Sequence, residues 1–209
     1  MRVIRRLALL ILTALAPLSG SGAQTCKGLA AFQDGPARLG VDYQHSADLD
    51  YYRGDLAFGT QRSFYGGVSI DETKLSFNSA TTTGVGVGLG YQFHWSDTPF
   101  QVCPDVTFHY GSGNGGSTNT LGFGGSLGYR IEMRPGFHLV PAAGIRWMSA
   151  DVTRNSSSQS GGTTSGTETF LNFGMVLNRV WSFVPGVLFP SPASSKTRWT
   201  FGLSYNWGT

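Results

Sequence analysis

The chain has 209 residues, a formal net charge of +3 and only 13% charged residues, with 30 glycines and 13% aromatics. Three arginines, Arg2, Arg5 and Arg6, equal the whole positive excess and lie in the first six residues. The basic balance is therefore no argument for a nucleic-acid or other anionic partner. After residue 23 no stretch approaches the roughly 20 apolar residues of a membrane helix, so a helical membrane protein is excluded as a reading.

Residues 1–23 read as a secretory signal peptide: a basic n-region, an apolar run from Leu7 to Leu18, then Ser19-Gly20-Ser21-Gly22-Ala23, with cleavage expected after Ala23. The run is too short to anchor a helix across a bilayer. Residues 24–37 follow as an N-terminal segment that carries Cys26 and can plug whatever comes next. Residues 38–209 form the remaining unit.

From there the chain alternates. A two-residue period runs weakly through Arg38 to Gln44, Arg53 to Gly59 and Phe64 to Asp71. It is clearest in Thr83 to Trp95. There Val85, Val87, Leu89, Tyr91, Phe93 and Trp95 share one face, and Gly84, Gly86, Gly88, Gly90, Gln92 and His94 share the other. It returns from Phe100 to Tyr110 and from Leu121 to Met133. Phe137 to Met148, Leu171 to Asn178 and Trp181 to Phe189 show it less sharply, and Arg198 to Trp207 shows it again. In a soluble sandwich the apolar face packs inward and the opposite face carries Lys, Glu and Thr. Here the opposite face is mostly Gly and Ser. That suits a wall with lipid on its apolar side and small or polar residues in a lumen. Tyr91, Phe93, Trp95, Trp147, Trp199, Tyr205 and Trp207 are expected at the membrane interfaces.

Connections alternate in character. Gly59 to Arg62, Ser96 to Pro99, Arg134 to Gly136 and Asn178 to Val180 read as tight turns. Ser46 to Tyr51, Thr73 to Thr82, Gly111 to Asn119, Arg154 to Thr167 and Pro190 to Lys196 read as longer Gly/Ser/Thr/Asn loops. Short turns on one side and long loops on the other predict an all-β fold: a transmembrane, antiparallel, up-and-down β-barrel. About ten strands are expected, with eight as the alternative, and both termini in the periplasm. Charges on the lumen phase are Arg53, Asp55, Asp71, Asp105, His109, Arg130, Glu132 and Arg146. They read either as pairs filling a narrow barrel or as a polar path, and the inward glycines are expected to leave unfilled space.

Cys26 and Cys103 are expected to form a disulfide in an oxidising compartment, tying residues 24–37 into the mouth nearest the termini. Two cysteines without a histidine at ligand spacing give no zinc site, and no metal or cofactor is expected. His45, Ser46, Asp48 and Asp50 form one candidate catalytic cluster, but neighbours on a strand face opposite ways, so His45 and Ser46 are poorly placed to share a proton. His94, His109 and His138 are scattered and read as structural.

On these patterns the mature chain resembles the small bacterial outer-membrane β-barrels, the OmpX/OmpW-like and related porin-family proteins. Its last strand, Trp199 to Trp207, resembles the terminal-aromatic signal read by the outer-membrane assembly machinery, except that Gly208 and Thr209 follow. The resemblance implies a non-enzymatic, monomeric barrel in Gram-negative outer-membrane lipid, with a porin-like small-solute or structural surface role. A lipid-modifying enzyme and a soluble exported β-sandwich are the alternatives.

Overall fold

Strands of nine or more residues with one apolar face must each find two neighbours, and in lipid the first must also pair with the last. The computed structural model, which describes residues 25–27, 29, 36–60, 64–76, 80–94, 100–113, 116–154, 162–191 and 196–207, closes in this way. The wall has ten strands. They are β1 (Ala37–His45), β2 (Leu49–Gly59), β3 (Phe64–Leu75), β4 (Thr81–Tyr91, continued by Phe93–His94) and β5 (Phe100–Gly113). Then come β6 (Gly116–Tyr129, continued by Ile131–Arg134), β7 (Phe137–Arg154), β8 (Gly162–Leu177), β9 (Trp181–Ser191) and β10 (Arg198–Trp207). Each pairs antiparallel with its chain neighbours. β1 also pairs with β10, from Ala37↔Trp207 to His45↔Trp199, which removes both edges.

Ten strands, and not eight, make the wall: the weak period from Trp181 to Phe189 is a full strand, and the Gly59 turn separates two others. Four of the five loops expected from composition are much shorter than the sequence suggests, the one from Pro190 to Lys196 being the exception. Thr118 pairs with Gly111 and Asn119 with Tyr110, and Thr163 to Thr167 run against Asp151 to Trp147. Gly, Ser and Thr there report exposure to water, not a missing ladder. Backbone pairing needs no apolar side chain, and threonine fits a strand well. The strands therefore rise as polar ribbons beyond the apolar band, at the end away from the termini.

The opposite end has tight turns with identifiable chemistry. Pro135 and Gly136 link β6 to β7, and Gly136 takes φ +79° as the third residue of a turn with proline second. Asn178 and Arg179 both have positive φ, 50° and 59°, and Val180 N–H donates to the Leu177 carbonyl at 3.0 Å, giving a primed hairpin turn. Gly136→Ala is expected to cost about 1 kcal/mol, read as a lower urea midpoint for the refolded chain. No change would show that the turn relaxes freely.

The faces divide by phase. Leu39, Val41, Phe58, Val68, Ile70, Val85, Val87, Leu89, Phe123, Ile145, Leu171 and Leu203 all point outward and are exposed. The signal-peptide reading of residues 1–23 and the Ser96 to Pro99 turn lie outside the described residues.

Candidate functional site: a stoppered polar lumen

A narrow barrel can hold charge inside only if each charge finds a partner across the lumen or along the wall. Two strands are stripped nearly to backbone on their inner face, and this lets side chains reach across them. On β4 the inward residues are Gly84, Gly86, Gly88 and Gly90. His109 of β5 therefore crosses β4 to meet Asp71 of β3, Nε2 to Oδ1, at 2.7 Å. A Cβ on Gly84 would lie 2.8 Å from Asp71 Oδ2 and still closer to the His109 ring. On β6 the inward glycines include Gly122, Gly124 and Gly128. Asp105, Gly124, Arg146 and Glu168 occupy one cross-strand row. Arg146 crosses the bare position to Asp105 (Nη2 to Oδ2, 3.5 Å) and reaches Glu168 on its other side (Nη1 to Oε1, 3.3 Å). A Cβ on Gly124 would stand 2.8 Å from Asp105 Oδ1.

At several inward glycines the space is taken. Neighbouring side chains fill it: the Tyr65 ring lies over Gly90 and the Phe170 ring over Gly144. Glycine here makes room for a residue one strand away.

The end near the termini is the more tightly filled. Cys26 and Cys103 form a disulfide across 77 positions of chain, and both are fully buried. Around this end lie Val140, Ser182 and Asn206, each buried to within 2%. Gln92 Nε2 donates to Gln101 Oε1 at 2.8 Å, and Arg130 contacts His138 Nε2 at 2.7 Å. The short 3-10 turn Thr25–Lys27 sits against β5, β6 and β7 inside the barrel. Lys27 Nζ lies 2.9 Å from Asp105 Oδ2, and its backbone carbonyl accepts a hydrogen bond from Asn172 Nδ2 at 3.2 Å. The expected disulfide is present, and the segment it holds enters the lumen.

The remaining charges expected in the lumen fall as follows. Asp55 faces Arg38 at 3.9 Å. Arg53 stands in register between Asp42 and Asp71, and its Nε has no partner among the described residues. Glu132 is an exception: it is exposed. The register runs unbroken from Gly128↔Ala142 to Glu132↔His138, so Glu132 keeps the inward phase, and it is exposed because it stands a few residues from the Pro135–Gly136 turn at the open mouth. Lys27, Arg38, Asp42, Glu168 and His138 also belong to the interior. Glu168 shares the phase of Asn172 but falls between the stretch read as loop, Arg154 to Thr167, and the period that starts at Leu171. Lys27 is signalled only by its place beside Cys26.

The aromatics expected at the interfaces occupy both ends of the outer wall. Tyr91 and Phe93 pack together with ring centres 4.7 Å apart, and Tyr205 stands between Trp181 (4.8 Å) and Trp207 (6.4 Å), all near the termini. Trp147, beside Phe123 at 6.1 Å, and Trp199, which pairs with His45, lie toward the far end. Trp95 lies outside the described residues.

At the far rim, His45 Nδ1 is 2.8 Å from Asp50 Oδ1, and Tyr43 Oη donates to the same oxygen at 2.7 Å. His45 is exposed and Ser46 is buried. Ser46 Oγ accepts the backbone N–H groups of Asp48 and Leu49 at 3.3 and 3.2 Å, so it caps a turn and does not face His45. No group of three or more His, Cys, Asp or Glu side chains suited to a metal occurs among the described residues.

The family model described as "Outer membrane protein beta-barrel domain" matches residues 13–184. No curated protein matches the sequence. Among solved structures, the β domain of the Bordetella autotransporter BrkA is similar at TM-score 0.55 and 11% identity, covering 82% of this chain and 98% of that one. The KdgM porin is similar at TM-score 0.40 and 11% identity, covering 82% and 99%. The NanC porin is similar at TM-score 0.39 and 13% identity, covering 82% and 100%.

Proposed function

This chain belongs to the outer membrane protein β-barrel domain family, and we propose that within it the protein is a non-enzymatic, porin-like barrel whose path for small solutes is stoppered by its own N-terminal segment. The observation that carries this reading is the seat of Lys27. Asp105, Arg146 and Glu168 make the interior polar, and the disulfide-held turn Thr25–Lys27 stands among them.

In this proposal residues 1–23 direct export and are removed, the assembly machinery reads the strand ending in Trp207, and the barrel works as a monomer in Gram-negative outer-membrane lipid. The polar ends of β5 to β8 support an orientation with those ends outside and both termini in the periplasm, since outer-membrane barrels keep their short turns on the periplasmic side.

The test is conductance of the mature chain in planar bilayers. One sample is refolded oxidised. A second is first reduced in urea by a dithiol, which gives two electrons and two protons to the Cys26–Cys103 bond and closes its own disulfide. The oxidised barrel is expected to be closed or nearly so, and the reduced one to open at least tenfold more often. No conductance from either would sink the porin-like reading.

The enzymatic alternative draws on the His45–Asp50 pair at the rim. It would need a nucleophile, and Ser46 Oγ is engaged by two backbone donors. A lipid-hydrolysing activity lost on His45→Ala would favour it over the present reading.

A further inference from the structure

The charges of the cross-strand row do not balance within the wall. Asp105 and Glu168 are two carboxylates with side chains 6% and 8% exposed, and Arg146 between them is one guanidinium. The row alone therefore carries one negative charge in excess, in surroundings where an unpaired charge is costly. Lys27 neutralises it from outside the wall, through a contact of 2.9 Å to Asp105 Oδ2. Lys27 is held there by its carbonyl bond from Asn172 and by the disulfide one residue before it.

Asp105 has further capacity. Its Oδ1 is buried and has no hydrogen-bond partner among the described residues. An ammonium offers three donors, carries no acceptor and is compact. A second guanidinium would have to share the row with Arg146, which already spans both carboxylates.

We propose that the row formed by Asp105, Arg146 and Glu168 is a binding site for one primary ammonium group, and that Lys27 is its tethered occupant. When the N-terminal segment is not seated, a small primary amine from solution takes the same place. The plug works by presenting, on the chain itself, the chemical group that the lumen recognises. This deepens the porin-like reading by naming the solute class, and it rests on that reading only for the access of small solutes to the lumen. Its test is read in stability, so a barrel that fails to conduct can still pass or fail it.

The full mature chain carrying Lys27→Ala, refolded in detergent, is unfolded in urea with ethylammonium chloride, with tetraethylammonium chloride, or with sodium chloride at equal ionic strength. Lys27→Ala alone is expected to lower the urea midpoint. Ethylammonium is expected to raise its folding equilibrium constant at least tenfold and to saturate. Tetraethylammonium, which has no N–H to donate, and sodium are not. The double variant Lys27→Ala/Asp105→Asn removes the negative excess and is expected to give no response to ethylammonium. If Lys27→Ala does not fold, Lys27→Met, which keeps most of the side-chain volume, is measured in its place.

Three results would each overturn the proposal. They are equal recovery with sodium, an undiminished response in the double variant, and no response in a folded Lys27 variant.

Discussion

Arg146→Leu is expected to destabilise the barrel by about 3–5 kcal/mol, the usual cost of removing one partner from a buried charge network. Arg146 is the donor shared by Asp105 and Glu168, at 3.5 and 3.3 Å. Without it Asp105 keeps Lys27, but Glu168 loses its only ion-pair partner among the described residues while its side chain stays 8% exposed. The measurement is the urea midpoint of the refolded chain, together with the temperature at which the compact band on an SDS gel shifts to the unfolded position. Removing both charges in Arg146→Leu/Glu168→Leu is expected to cost less than the single change, because no carboxylate is then left stranded and the Lys27–Asp105 pair survives. A single variant within 1 kcal/mol of the parent would mean that water fills the row and the charges are screened.

Arginine on the outer wall tests the other half of the architecture. Val87 points outward near the middle of the apolar stretch of β4, between Thr83 at the polar end and Tyr91 and Phe93 at the aromatic end. Val87→Arg is expected to cost about 2–4 kcal/mol in a bilayer, and Thr83→Arg about 0–1 kcal/mol, because a charge on the lipid face is penalised by depth. Refolding into lipid vesicles with a urea titration reads both. Equal costs at the two positions would contradict a lipid-facing wall and suit a water-facing sheet.

The wall was legible in the residues because a strand writes its two environments on alternate positions, and lipid on one side leaves no ambiguity about which is which. Leu89 against Gly90, or Leu203 against Ser204, carries that information in two letters. The length of the connections was not legible. Thr, Ser and Gly signal water equally well in a loop and in a strand that has risen out of the membrane, as Gly116 to Asn119 do. The phase of Glu132 was legible but its exposure was not: it stays opposite His138 in unbroken register, and only its place beside the Pro135–Gly136 turn opens it to water. The disulfide could be argued from compartment and phase. The charge on Lys27 could not, because it depends on a segment without periodicity lying inside a barrel that only the other residues define. The glycines of β4 and β6 were legible as bare positions. That their vacancy belongs to His109, Tyr65 and Arg146 is a fact about strand neighbours, which a single chain read in order does not present.

The buried disulfide also bears on the order of events in assembly. Thiol–disulfide exchange needs a thiolate from outside to reach one of the two sulfurs, and Cys26 and Cys103 are both wholly enclosed once β10 has met β1. The bond has to be made while the sheet is still open, joining the start of the chain to its fifth strand and enclosing the first four between them. The same enclosure then protects it: a dithiol that cleaves the bond in urea is expected to leave it intact in the folded protein. The covalent stitch is a record of the unfinished barrel, sealed in by the strand that finished it.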